Sequence, residues 1–267
     1  MPTAFSPRFR IEPVGGRLQG LRILVTRPAP LDDQACELIR REGGQAISLP
    51  PIVIEPRTPA PATGEYDWVI FVSRNAVLHG HEWLAGLAKT PRLAAVGGAT
   101  AEELERLGYS VVLRPDAGFT SEALLERAEL NSVRGQQIMI VRGSGGRELI
   151  ADTLRERGAC VDYLEVYLRE PARPSAERLA EIRRLFAASR ISFVGVGSIE
   201  ILDSLMTLLG PSAHALLARS QLVTASERVV KKAESLGLGG HILLASGPRD
   251  ASLVDTIAND LRTSRKA

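Results

Sequence analysis

Few of the residues that would announce a cofactor are present. The 267-residue chain has two cysteines, Cys36 and Cys160, in no spacing that a metal site uses. That excludes a disulfide scaffold or a zinc centre as the organising device, and two unpaired thiols in a reducing cytoplasm are expected. Histidine is scarce too, at four residues. His79 and His81 flank Gly80 with no third ligand close by, which reads as surface decoration, and no Ser-His-Asp set falls at strand ends. A formal net charge of +2 gives no field for nucleic acid or a membrane surface. No apolar run approaches the roughly 20 residues of a membrane span. None in the first twenty residues suits a signal peptide, and residues 1–19 are expected to form a flexible tail. The glycine-rich stretch Gly143-Ser144-Gly145-Gly146 lacks both dinucleotide and P-loop spacing, so no nucleotide is expected there.

What is present is a repeat. Residues 23–59 lie on residues 138–174 at an offset of 115 without a gap, placing Ile23 on Ile138, Arg27 on Arg142, Arg40 on Arg155 and Gly43 on Gly158. A second block, residues 93–128, matches residues 222–258 approximately and pairs Leu107-Gly108 with Leu236-Gly237. A domain-sized period means duplication, hence two similar domains with a cleft between them.

Hydrophobic periodicity predicts strands over residues 22–26, 46–49, 68–72, 93–96, 111–113, 138–141, 160–164, 191–196, 221–224 and 242–245. Between them it predicts helices over 31–41, 75–87, 100–107, 121–128, 146–157, 177–188, 199–209, 227–236 and 252–261. This alternation specifies an α/β fold of parallel sheets covered on both faces. Residues 50–56 and 165–170 do not fit the alternation. Pro50, Pro51 and Pro56 keep the first of these out of a central ladder, so an edge strand or interdomain ribbon is predicted.

In open parallel sheets, ligands bind beyond the carboxyl ends of the strands. The candidate loops are Thr26-Arg27-Pro28, Ser73-Arg74-Asn75, Gly97-Gly98-Ala99-Thr100, Arg142-Gly143-Ser144, Gly197-Ser198 and Ala225-Ser226. They offer free backbone N–H groups, small side chains and helix N-termini, a combination suited to carboxylate or phosphate oxygens. Tyr167 breaks the repeat, because its counterpart is Ile52. It is either a half-buried strand residue or a phenol facing the cleft and able to donate a proton.

These residues resemble the uroporphyrinogen-III synthase family. The resemblance covers about residues 21–262 and is carried by order and spacing: Ile23-Leu24-Val25-Thr26-Arg27-Pro28, Asp67-Trp68-Val69-Ile70-Phe71-Val72-Ser73-Arg74-Asn75, Ala95-Val96-Gly97-Gly98-Ala99-Thr100, Val166-Tyr167 before Glu170-Pro171, and Val223-Thr224-Ala225-Ser226-Glu227-Arg228-Val229. It implies two similar α/β domains joined by a two-stranded antiparallel ribbon. Residues 1–49 with 172–267 would form the first domain, 57–164 the second, and 50–56 with 165–171 the ribbon. The implied reaction is a hydro-lyase one: closure of the linear tetrapyrrole hydroxymethylbilane with inversion of its last pyrrole and loss of water. It needs no cofactor and no metal. The implied setting is a cytoplasmic monomer, in transient contact with the enzyme that supplies the unstable bilane. Tyr167 matches the family's recurring tyrosine, which would assist departure of hydroxide. Thr26, Arg27, Ser73, Arg74, Asn75, Gly97, Thr100, Arg142, Gly143 and Ser144 would grip substrate carboxylates, mostly through backbone amides. In the other copy Gly197 stands at the serine-like position with Ser198 beside it, and Ser226 and Arg228 are the polar candidates because Val229 falls opposite Thr100. The competing reading is a non-catalytic two-lobed protein that binds a tetrapyrrole or small anion.

Overall fold

The structure is a computed structural model that describes residues 16–115, 120–239 and 242–264. Its strands form two five-stranded sheets. The first contains β1 (Arg22–Val25), β2 (Gln45–Ser48), β8 (Phe193–Gly195), β9 (Gln221–Thr224) and β10 (Ile242–Leu244), in the order β10-β9-β8-β1-β2, all parallel. The second contains β3 (Ile52–Pro56), β4 (Trp68–Phe71), β5 (Arg92–Ala95), β6 (Gln137–Gly143) and β7 (Cys160–Pro171), in the order β3-β7-β6-β4-β5. Only β3, the edge strand with Pro at its end, runs antiparallel.

Both faces of each sheet are covered. In the second sheet, Trp68, Ile70, Ile138 and Ile140 pack towards α4 (Ser121–Leu125) and α5 (Leu149–Glu156), while Val69, Phe71, Met139 and Val141 pack towards α2 (Arg74–Gly80) and α3 (Gly98–Arg106). Successive strand residues point to opposite faces, so near-continuous apolar runs are what a doubly covered sheet requires. The first sheet packs one face on α1 (Leu31–Arg41) and α10 (Asp250–Ser264). Its other face packs on α6 (Ala176–Ala187), α7 (Ile199–Leu209), α8 (Ala213–Leu217) and α9 (Glu227–Ser235). Each fully buried Leu, Ile or Phe in these layers contributes about 1.5–3 kcal/mol.

Several elements depart from the sequence expectations. The helix expected over 75–87 is α2 followed by a 3-10 turn, His81–Gly86. Gly80 is the break: a Cβ there would sit 2.7 Å from Val141 Cγ1, so only glycine lets the helix approach the sheet. The expected strand at 111–113 is a single bridge, Ala94 to Leu113, with Val112 exposed. Helix α8 escaped the periodicity because it is five residues long and follows directly on a 3-10 turn, Gly210–Ser212. The segments 160–164 and 165–170 are one strand, since the chain runs without a break from pairing with β6 to pairing with β3. The tail expected over 1–19 is shorter at its inner end: Leu18 is fully buried, and Arg17 pairs with Glu42 at 2.7 Å and Asp255 at 2.6 Å, sealing the end of α1. Residues 1–15 lie outside the described residues. Cys36 and Cys160 are free thiols, and burial pushes the Cys36 thiol up.

Candidate active site

Strand β7 follows the sheet's alternation as far as Val166. Val161 and Tyr163 pack towards α5, whereas Leu164 and Val166 pack towards α2. Continued alternation would return Tyr167 to the α5 side. A bulge intervenes: Arg142 pairs with Glu165, but Gly143 pairs with Tyr167, and Val166 has no partner on β6. The bulge turns Tyr167 into the same layer as Val166. The ring expected to face a cleft is instead fully buried, against the backbone of Gly143. Its hydroxyl lies 3.2 Å from Ser73 Oγ and accepts a bond of 2.8 Å from Arg169 Nη2. The Arg169 guanidinium also lies 5.1 Å from the ring centroid. Ser73 caps α2, its Oγ accepting from the Ala76 N–H at 3.1 Å.

The loop after β6 is braced by side chains that looked available in the sequence. Arg142 is buried and donates to Glu148 at 3.0 Å and to the carbonyls of Gly143 and Gly145. Ser144 donates to Glu165 at 2.7 Å and accepts from Arg57 at 2.9 Å, while its own N–H bonds the Tyr167 carbonyl at 2.8 Å. The Tyr163 hydroxyl donates to Glu148 and, with Arg142, holds that carboxyl below its ordinary range. Beside this loop is a hollow of ≈ 160 Å³, with Arg142, Arg147, Tyr163 and Arg169 on its walls.

Several polar contacts join the two sheets, most of them through residues at or near helix N-termini. Arg27 pairs with Asp250 at 2.6 Å, and Arg74, from the other sheet, reaches the same carboxylate at 4.0 Å and Gln34 at 3.4 Å. Arg249 pairs with Glu102, and Arg169 with Glu200 at 3.6 Å. Burial lowers the pKa of Arg74, the Arg27 charge adds to that, and Asp250 and Glu103 oppose it. Gln34, Arg74, Glu102, Arg249 and Asp250 share the wall of a hollow of ≈ 310 Å³.

The other expected residues divide into two groups. Ser198 caps α7 as Ser73 caps α2, with matching extended φ and ψ and a bond of 3.2 Å from the Ile201 N–H. Ser198 therefore corresponds structurally to Ser73, which corrects the placement of Gly197 at the serine-like position. Gly97 and Ser226 hold the N-cap positions of α3 and α9 without side-chain caps, and Arg228 is exposed in the first turn of α9. Thr26 and Thr100 are buried, and Thr26 donates to the Gly195 carbonyl at 2.6 Å, tying β1 to β8. Asn75 Oδ1 and His79 Nε2 are buried and have no hydrogen-bond partner among the described residues. Burial lowers the His79 pKa, which suits its packing 6.0 Å from the Tyr167 ring. Among the described residues no His, Cys, Asp and Glu cluster could hold a metal.

Sequence reasoning missed Arg169, Asp250, Glu102 and Arg249. Arg169 carried a signal, because residues two apart on a strand share a face. Asp250 and its partners meet only through the tertiary arrangement, and no local pattern marks them.

Comparison with known proteins points one way. The family model for uroporphyrinogen-III synthase HemD matches residues 33–255. The uroporphyrinogen-III synthase of Escherichia coli K12 is 35% identical over 230 residues, spanning 81% of this chain and 92% of that protein. The Salmonella typhimurium LT2 enzyme is 32% identical over the same shares. Among solved structures, a mutant uroporphyrinogen III synthase of Thermus thermophilus superimposes with a TM-score of 0.58 at 14% identity, covering 91% of this chain and 99% of that one. The Helicobacter pylori 26695 enzyme gives the same score and identity, covering 90% and 99%. The likeness in structure supports the fold, the likeness in sequence carries further, and the chain belongs to the uroporphyrinogen-III synthase family.

Proposed function

We propose that this protein is a hydro-lyase that closes hydroxymethylbilane into uroporphyrinogen III, inverting the last pyrrole as it does so. Family membership over residues 33–255 carries the reading and favours it over a non-catalytic binder. The site is consistent with a reaction whose difficulty is geometric. The linear tetrapyrrole has eight carboxylates and closes unassisted to the uninverted isomer, so the protein's task is to hold the chain in the conformation that inverts. Helix N-termini from both sheets, with Arg27, Arg74 and Arg169 near them, suit that polyanion. Tyr167 assists departure of the hydroxide. We assign two domains to the chain, residues 1–49 with 172–267 and residues 57–164, joined by the ribbon 50–56 and 165–171. No cofactor or metal takes part, and the protein acts as a cytoplasmic monomer that receives the bilane from the enzyme producing it. The test is incubation with freshly generated hydroxymethylbilane. Type III isomer above the spontaneous type I background is expected, and type I alone would overturn the reading.

A further inference from the structure

The hydrogen bonds around Tyr167 favour one arrangement of the protons. A guanidinium can only donate, so the bond from Arg169 makes the phenol oxygen an acceptor. The phenol's own proton then needs an acceptor. The ring is fully buried, and the acceptor in reach among the described residues is Ser73 Oγ, at 3.2 Å. Ser73 Oγ also accepts from the Ala76 N–H, so both its lone pairs are engaged and its own proton is free to point away from the protein. Ser73 is partly exposed where Tyr167 is not.

We infer that Ser73 is the catalytic residue that hands a proton to the departing hydroxide, with Tyr167 behind it as the source that replaces that proton and Arg169 as a positioning residue. This rests on the reaction proposed above. As the pyrrole nitrogen's electron pair moves in to form the azafulvene, the bond from carbon to the hydroxyl oxygen breaks. The leaving oxygen takes the Ser73 proton and departs as water. Ser73 takes the Tyr167 proton in the same movement, and the phenolate left behind lies against the Arg169 guanidinium. Closure with inversion then forms two carbon–carbon bonds at the last pyrrole and breaks the one that had joined it to the chain; when the pyrrole carbon that bore hydrogen sheds its proton, that proton returns through Ser73 to Tyr167. Protons balance over the cycle, and the one by-product is water. The arrangement places the phenol against the Arg169 guanidinium, which faces the phenolate when the proton leaves, and leaves the small hydroxyl to reach the substrate.

Ser73 also caps α2, so the test separates the two roles. Asparagine caps helices about as well as serine, but an amide does not relay a proton. Ser73→Asn should keep the circular dichroism spectrum and melting temperature, keep KM within about twofold, and lower kcat for type III formation by about 10²–10⁴-fold. Tyr167→Phe should fall in the same range. The double variant should be no slower than the slower single, because both changes cut one chain. Ser73→Thr, which keeps the hydroxyl, should retain most of the rate. In mixed H₂O and D₂O the unaltered protein should give a curved dependence of kcat on deuterium fraction, and Tyr167→Phe a straight one. A wild-type kcat in Ser73→Asn, a double variant equal to the product of the singles, or a straight dependence for the unaltered protein would each overturn the relay. None of those results touches the parent reading, which fails only if the unaltered protein makes no type III isomer.

Discussion

Gly143→Ala should disable the protein through a single methyl group. A Cβ at residue 143 would lie 2.4 Å from Tyr167 Cε2, 2.5 Å from Cζ and 2.9 Å from Cδ2. The ring is fully buried, and its hydroxyl is held by Arg169 and Ser73, so it has nowhere to retreat without leaving its partners. Overpacking of this kind costs about 1–3 kcal/mol. Losing the neutral bond adds about 0.5–1.5 kcal/mol and the bond from a cation about 1.5–3 kcal/mol. Partial relaxation makes the sum an upper bound, and a loss of about 2–5 kcal/mol is expected. At about 2–4 °C per kcal/mol the melting temperature should fall by roughly 10 °C, and type III formation should fall with it. Calorimetry and chemical denaturation on four proteins measure the coupling: wild type, Gly143→Ala, Tyr167→Val and the double variant. In the Tyr167→Val background the ring atoms are gone, and the added methyl should cost no more than about 0.5 kcal/mol. If Gly143→Ala destabilises both backgrounds equally, the contact with Tyr167 is not its cause and the packing argument fails.

Four further outcomes are expected. Tyr167→Phe should keep the fold by circular dichroism and leave residual type III formation, since the bilane loses hydroxide readily by itself; an unchanged rate would remove the phenol from the chemistry. Chelator-treated protein should form the type III isomer at the untreated rate, and restoration by added metal would contradict that. Arg147 holds the Glu122 pKa at about 2, below its ordinary 4.5, so the stability this pair contributes is complete above about pH 4.5 and lost as pH falls towards 2. Glu122→Gln should flatten that acid limb slightly, by under about 1 kcal/mol because the pair is half exposed. The ion pairs that join the sheets, Arg249 to Glu102 and Arg169 to Glu200, are partly exposed and screened by salt. Raising ionic strength from about 0.05 to 1 M should increase the radius of gyration by solution scattering, whereas saturating substrate should decrease it; a value indifferent to both would refute the idea.

Local chemistry made much of this legible. Leu31–Arg41, Ile199–Leu209 and Gln221–Thr224 have the bounds that their periodicity and flanking Pro, Ser and Gly residues predicted. The edge position of Ile52–Pro56 follows from its prolines. Ser73 was legible as a strand-end serine. The surroundings of Tyr167 were not, because a bulge reverses the face that alternation assigns, and a bulge depends on the partner strand. Arg142 read as a loop cation for substrate, yet three contacts within six residues engage it in holding its own loop. The Arg27, Arg74 and Asp250 group joins residues from distant parts of the chain, and only the packing of the helix ends brings them together.

The strand orders also govern when each sheet can exist. Every strand of the second sheet lies between Ile52 and Pro171, so that sheet can close as soon as this stretch has left the ribosome. The first cannot. Strand β1 has β2 on one side, but its other edge stays open until β8 arrives, where Ile23 meets Phe193. Loop closure over such a span is slow, and an open apolar edge is prone to aggregate while it waits. The finished second sheet thus stands as a platform on which the first assembles, with β3 already clamped along β7 to bring the early segment back beside the late one. Destabilising substitutions in residues 52–171 should therefore reduce yield during synthesis more than equal losses placed in β8–β10.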